Sequence, residues 1–299
     1  MNGTGRPRNF LAPPARRWGG GLRLRIAAAL LGLSLAAPAF AQTPPDLFIP
    51  SFIDPHAHSE RPPAGVIKSV RFAATDDFPP FSFPGADGRL TGYNVDLARA
   101  ICRELGVPCT LEVWRFADIP PALAGGAIDA ALAGIAVSAD ARQRLAFSAA
   151  YLRNAGRFVQ RNAAPFATVT PTALADKRVA VVSGSAHEAF LKAAFPNATL
   201  RLYPNADDAR AALMAGEADL HFGDGLALSF WLGGTASTGC CSFAGGPFLE
   251  SRYFGEGLTI ATARGAGDLQ EALNAALEAL QANGTLAELY LRYFPIGFY

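Results

Sequence analysis

The sequence predicts an α/β fold in two lobes, and three observations carry that expectation. From Val70 onward, short apolar runs alternate with segments of helical period, the pattern of strands joined by helices. A polar, proline-marked break at 162–171 divides this series in two. Beyond residue 41 the 299-residue chain leaves 258 residues, a length that suits two domains of ordinary size.

Residues 1–41 are read separately. Arg16, Arg17, Arg23 and Arg25 are basic, residues 26–35 form an apolar run, and Ala39-Phe40-Ala41 has the small-x-small form of a signal-peptidase site. The run is too short to span a bilayer, and no Cys follows it to take a lipid anchor. Residues 1–41 therefore read as a cleaved signal peptide, with the mature chain starting at Gln42. Arg16-Arg17 leaves a twin-arginine route open beside ordinary secretion. The expected location is the periplasm, where disulfides persist.

Removing the six Arg of that segment leaves 20 of the 26 basic residues against 25 acidic ones, a net charge of −5. This balance, without a Lys/Arg run, argues against nucleic acid as a partner. Residues 42–68 are proline-rich and aperiodic, an N-terminal arm that is either a tether or an extended wrap. Within it Asp54, His56 and His58 offer at most three metal ligands, so no metal site is expected and a solvated linker is the simpler reading.

The elements follow in order. Val70–Ala74 is a strand that ends at Asp76 and Asp77. Val95, Ala98, Ile101, Cys102 and Leu105 line one face of a helix that stops at Gly106, with Pro108 beyond. Strands are expected at Cys109–Val113 and 130–132, a short helix at 121–124, and a helical turn capped by Ser138. Residues 151–161 read as an extended crossing segment. After the break, strands are expected at 179–182, Thr199–Tyr203 and 220–222, and helices at Ala186–Ala194 and 207–215. His187 and Glu188 are expected to face solvent. Residues 233–247 read as irregular, 257–261 as a strand, 268–282 as a helix and 286–293 as the last helix.

Six motifs in register give the chain a resemblance. They are Phe78-Pro79-Pro80-Phe81, Gly92-Tyr93-Asn94-Val95-Asp96-Leu97, Pro121-Ala122-Leu123 with Gly126 and Asp129, Phe147-Ser148 with Tyr151, Gly184-Ser185, and Asn283-Gly284-Thr285. Together they closely resemble the family 3 bacterial extracellular solute-binding proteins, which deliver polar amino acids to ABC importers. The resemblance implies a type II periplasmic-binding-protein-like fold whose two lobes are joined by two hinge strands. Lobe 1 would comprise 69–153 plus 254–299, and lobe 2 would comprise 154–253. It also implies a monomeric receptor without a cofactor, working with an inner-membrane ABC permease.

The resemblance assigns roles to particular residues. Phe78 and Phe116 would sandwich the ligand, unless they are core residues. Trp114 is a third aromatic candidate. Gly134 and Ala136 lie on a strand edge whose carbonyls would accept the ligand's ammonium. Asp224 would pair with that ammonium, or cap a following helix. Ser185 would help bind a carboxylate at a helix start, or serve only as its cap.

The family's clamp arginine is replaced here by Ala141, within Ser138-Ala139-Asp140-Ala141-Arg142. Arg142, one residue later, is offset by about 100° and 1.5 Å on a helix, and is either a substitute clamp or a surface residue. Asp76 and Asp77 would favour a cationic group if they lie in the mouth of the cleft, and would merely be solvated on its rim. Cationic amino acids, amines and small peptides are therefore candidate ligands. A dehydratase acting on cyclohexadienyl or arogenate substrates is the enzymatic alternative on the same scaffold; no catalytic residue is marked. The four Cys allow three complete connectivities; Cys102 and Cys109 could pair within lobe 1, which would leave Cys240 and Cys241 as a vicinal disulfide or two free thiols.

Overall fold

The computed structural model describes residues 53, 59–294 and 296–299. The signal segment and the Asp54, His56 and His58 group lie outside the described residues.

The chain runs β1 (Val70–Ala74), β2 (Phe83–Pro84), β3 (Leu90–Thr91), α1 (Tyr93–Leu105), β4 (Cys109–Val113), α2 (Ile119–Ala124), β5 (Ala130–Ala131), α3 (Ala141–Arg144) and β6 (Leu145–Phe147). It continues through β7 (Gly156–Arg161), β8 (Arg178–Val182), α4 (Ala186–Ala194), β9 (Thr199–Tyr203), α5 (Ala206–Ala215), β10 (Leu220–Asp224) and α6 (Gly225–Gly233). It closes with β11 (Cys241–Phe248), α7 (Ser251–Phe254), β12 (Ala261–Ala263), α8 (Gly267–Ala282) and α9 (Thr285–Tyr293).

Two five-stranded sheets result, ordered β4-β1-β5-β12-β6 and β11-β7-β10-β8-β9. In the first, β1 runs parallel to both β4 and β5, so the chain crosses from one side of β1 to the other. In the second, β8 runs parallel to both β9 and β10 in the same arrangement. Each sheet thus has a switch point, where consecutive connections leave in opposite directions and open a crevice at the carboxyl ends of the strands.

α1 forms where the sequence places it. Its start is set by Gly92 at φ 126°, because a Cβ there would lie 2.3 Å from the Phe81 carbonyl oxygen. Gly106 ends the helix in the left-handed region. The buried face of α8, with Leu269, Leu273, Ala276, Leu277 and Leu280, packs into the same core as Phe72, Leu97 and Ile101 of the first sheet and α1. β12 pairs with β5 and β6, returning the chain's end to the first sheet. Asp96 ties α1 to α9 by accepting from Tyr293 Oη at 2.7 Å and Arg292 Nη1 at 3.0 Å.

Residues 233–247 are the clearest departure from the sequence reading, since most of β11 lies where irregular chain is expected. β11 pairs antiparallel with β7, and a bulge between Ala244 and Phe248 absorbs its two glycines. The glycine content conceals a strand that only the neighbouring ladder defines. The strand expected at 257–261 also shifts, to β12 at Ala261–Ala263. Its earlier residues bond instead to the other crossing segment, with Leu258 N–H on the Leu152 carbonyl at 2.7 Å and Ser148 N–H on Ile260 at 2.9 Å.

The two crossing segments approach closely: a Cβ on Gly257 would stand 2.3 Å from the Leu152 oxygen. Disulfides join Cys102 to Cys109 and Cys240 to Cys241. The described part of the arm lies against α8 and the end of α1, through Ser59 Oγ to Glu278 at 2.7 Å and Arg61 to Glu104.

Candidate functional site

Both switch points hold candidate residues. In the first sheet, β1 leads to Asp76, Asp77 and Phe78, and β5 leads to Gly134. The two loops meet there: Gly134 has φ +67°, and a Cβ on it would come within 3.0 Å of the Phe78 ring. Glycine is needed both for the backbone conformation and for the space. Phe78 is half-buried and also packs on Phe81, with centroids 4.7 Å apart.

Alongside, Thr75, Asp76, Asp77, Trp114, Arg115 and Phe116 line a cleft of about 460 Å³ between the ends of β1 and β4. Asp76 and Asp77 are exposed and make no ion pair or hydrogen bond to a described residue. Phe116 is 51% exposed and has no ring contact with Phe78 among the described residues. An aromatic ring left this open beside two carboxylates is a ready surface for an organic cation.

Behind this surface a buried network holds the loops. Asn94 Nδ2 donates to the Leu132 carbonyl at 3.1 Å, and Tyr151 Oη donates to Asn94 Oδ1 at 2.8 Å. Asn94 therefore links the start of α1 to the end of β5 and to a crossing segment. The motif around Gly92 thus supplies a side chain that positions both loops.

Ala136 and Ser138 lie exposed beyond Gly134. Ser138 Oγ accepts from Ala141 N–H at 3.1 Å, the capping role expected of it. Arg142 is 53% exposed and reaches the carboxylate of Glu256 at 2.6 Å, on the segment returning from α7. Its guanidinium carbon also stands 5.9 Å from the Phe147 ring. The one-residue offset thus carries Arg142 to a partner on the return crossing.

At the second switch point, Ser185 follows β8 and Asp224 ends β10. Ser185 Oγ donates to the Val182 carbonyl at 2.7 Å and accepts from Glu188 N–H at 3.1 Å. Asp224 Oδ1 accepts from Ala227 N–H at 2.8 Å. Both residues are helix caps, which fixes their positions at the crevice and spends part of their hydrogen-bonding capacity.

The expectation that His187 and Glu188 face solvent is overturned. Glu188 is only 7% exposed, because its carboxylate turns back to the Gly184 N–H at 2.6 Å, one residue before the Ser185 cap, a variant of the capping box. The Lys192 ammonium, 2.5 Å away, and the Gly184 N–H hold that carboxyl below its ordinary range. His187 is half-buried, stacked on Phe254 at 5.0 Å. The signal available for Glu188 was Ser185 three residues earlier, the capping-box spacing; His187 is covered by rings distant in sequence.

Asp129, another motif residue, takes Arg71 in a fork, from Nε at 3.0 Å and Nη2 at 2.7 Å. It braces the base of the first sheet, at the opposite end of β1 from the site. No group of His, Cys, Asp and Glu suited to a metal occurs among the described residues, and none of their helices is long and apolar enough to cross a membrane.

Residues 70–296 match the family of bacterial extracellular solute-binding proteins, family 3. The L-arginine-binding protein of Pseudomonas aeruginosa is 31% identical to the chain over 235 residues, covering 78% of this chain and 90% of that protein. The lysine/arginine/ornithine-binding periplasmic protein of Escherichia coli strain K12 is 26% identical over 274 residues, covering 90% and 95%. Among solved structures, an ancestral cationic amino acid solute-binding protein aligns with a TM-score of 0.55 at 25% identity, covering 76% of this chain and 95% of that one.

Proposed function

Since the chain belongs to the family 3 bacterial extracellular solute-binding proteins, we propose that it is a periplasmic receptor that captures a cationic amino acid for an ABC importer. The observation that carries this reading is the first switch point. Exposed Asp76 and Asp77 share one cleft with Trp114, Arg115 and Phe116 and form no ion pair with a described residue, Arg115 standing instead 3.9 Å from Asp118. Two free carboxylates beside open aromatic faces suit a guanidinium or a long-chain ammonium better than a neutral side chain. The relatives named above, which carry arginine, lysine or ornithine in their names, agree with this choice.

In this reading the ligand lies between the lobes. Its side chain enters the Asp76 and Asp77 cleft against Phe78 and Phe116, and carbonyls at Gly134 and Ala136 help receive its ammonium together with Asp224. The α-carboxylate meets the start of α4, where the Ala186 and His187 N–H groups donate to no partner among the described residues. Ser185 holds that helix end in place, and Ser138 holds the turn that carries Arg142. Arg142 completes the clamp on closure. Its exposed pair with Glu256 is worth at most about 1 kcal/mol, little resistance to recruitment. The receptor acts as a monomer, without cofactor or metal, and releases its solute unchanged to the permease.

Calorimetry on the purified protein with L-arginine, L-lysine, L-ornithine and neutral amino acids tests the reading. Saturable binding of the cationic set, with ligand recovered intact, is the expected result. Equal binding of neutral amino acids would overturn the ligand class. Turnover of prephenate or arogenate would replace transport with the dehydratase activity, for which exposed Asp76 and Asp77 supply no dry acid.

A further inference from the structure

His187 lies in the first turn of α4, two residues after Ser185, at the crevice between β8 and β10. Its ring is stacked on Phe254 at 5.0 Å with 29° between planes, and meets Phe222 edge-on at 5.6 Å. These contacts orient the imidazole without using its nitrogens. Neither nitrogen bonds to a described residue, and neither is sealed from solvent. A half-buried imidazole held by its faces and open at its nitrogens is available to a ligand.

The charged neighbours are few. Asp224, ending β10, acts electrostatically on the ring, and His221 of the same strand also senses it. On α4, Glu188 is committed to Gly184 and Lys192. On α7, Arg252 lies over Tyr253, 5.7 Å from its ring centroid.

We propose that His187 is a specificity-determining ligand contact, a neutral hydrogen-bonding group beside Asp224 whose protonation weakens the hold on a cationic ligand. The inference rests on the cationic-amino-acid reading above. Burial pushes the imidazole below its ordinary range, opposed by the Asp224 carboxylate, so it is neutral at pH 7.5. An imidazolium would place positive charge beside the carboxylate that takes the ligand's ammonium, and two cations would compete for one anion.

L-Arginine affinity is measured by calorimetry at pH 7.5 and 5.0 for the wild type, His187→Gln and His187→Phe, with melting temperatures recorded alongside. The wild type should weaken about tenfold on acidification. His187→Gln, which cannot take a charge, should weaken less than threefold over the same interval. His187→Phe keeps the stack and loses the nitrogens; it should bind about tenfold more weakly at pH 7.5 while melting normally. A wild-type pH slope retained in His187→Gln, or wild-type affinity in His187→Phe, overturns the inference alone. Absence of arginine binding by the wild type overturns the ligand class and this inference with it.

Discussion

In the first sheet Arg71 of β1 forks onto Asp129, which immediately precedes β5; in the second, Arg178 of β8 forks onto Asp219, which immediately precedes β10. Each arginine also caps nearby carbonyls, Gly126 and Ala127 in the first case and Gly216 in the second. The Arg178 hydrogen bonds hold Asp219 below the usual carboxylate range against the effect of burial. With the same strand order around β1 and β8, the two halves are variations on one plan at their bases. At the opposite ends they diverge. The first sheet presents exposed carboxylates and an open Phe116, whereas the second presents helix caps and a stacked histidine. The two halves repeat the brace at their bases and differ at the strand ends that carry the candidate site residues.

The largest expected effect separates the two halves by pH. His221, 1% exposed in β10, donates from Nδ1 to the Ala180 carbonyl at 2.9 Å, and burial pushes its pKa down to about 4. An unfolded histidine titrates near 6.5, so between about pH 6.5 and 4 the unfolded state binds more protons. Stability from this group is present above pH 6.5 and is lost as pH falls through that window, by up to about 3 kcal/mol. Chemical denaturation at pH 7 and pH 4 should show the loss, and amide exchange should place it in β8 and β10 before the first sheet. Equal weakening of both sheets would remove His221 as the cause.

Next is the anion of the second crevice. Asp224→Asn keeps an α6 cap but removes the charge, and should lower L-arginine affinity about ten- to hundredfold. A similar loss of melting temperature and affinity would mean that Asp224 serves only the helix. For Arg142→Ala about a tenfold loss is expected for ligands with an α-carboxylate and little for agmatine, which lacks one. Equal losses for both ligands would assign Arg142 to its Glu256 contact. The smallest effects belong to the repeated clips. Arg71→Ala and Arg178→Ala should each lower the melting temperature by no more than about 5 °C, since both side chains are more than a third exposed. A marked inequality between them would break the structural parallel.

Much of the fold was legible because local chemistry coincides with the final packing. The α1 stripe, Gly106 at its end and the α8 leucines announce elements that the core then uses. The site was legible in part. Phe78 was named from a motif and Gly134, 56 residues on, from the resemblance of its strand edge, yet their mutual contact depends on β1 and β5 lying side by side. β11 was missed because Gly245 and Gly246 depress its local propensity while β7 supplies the missing order.

By itself, then, the sequence determined the alternating strands and helices, their caps, the family motifs and the unusual Ala141, since these depend on residues close along the chain. Tertiary structure alone decided that Arg142 meets Glu256, that Asp76 and Asp77 share a cleft with Phe116, and that His187 stacks on Phe254. Those relations join distant residues through strand order and crossing geometry, which no local periodicity encodes.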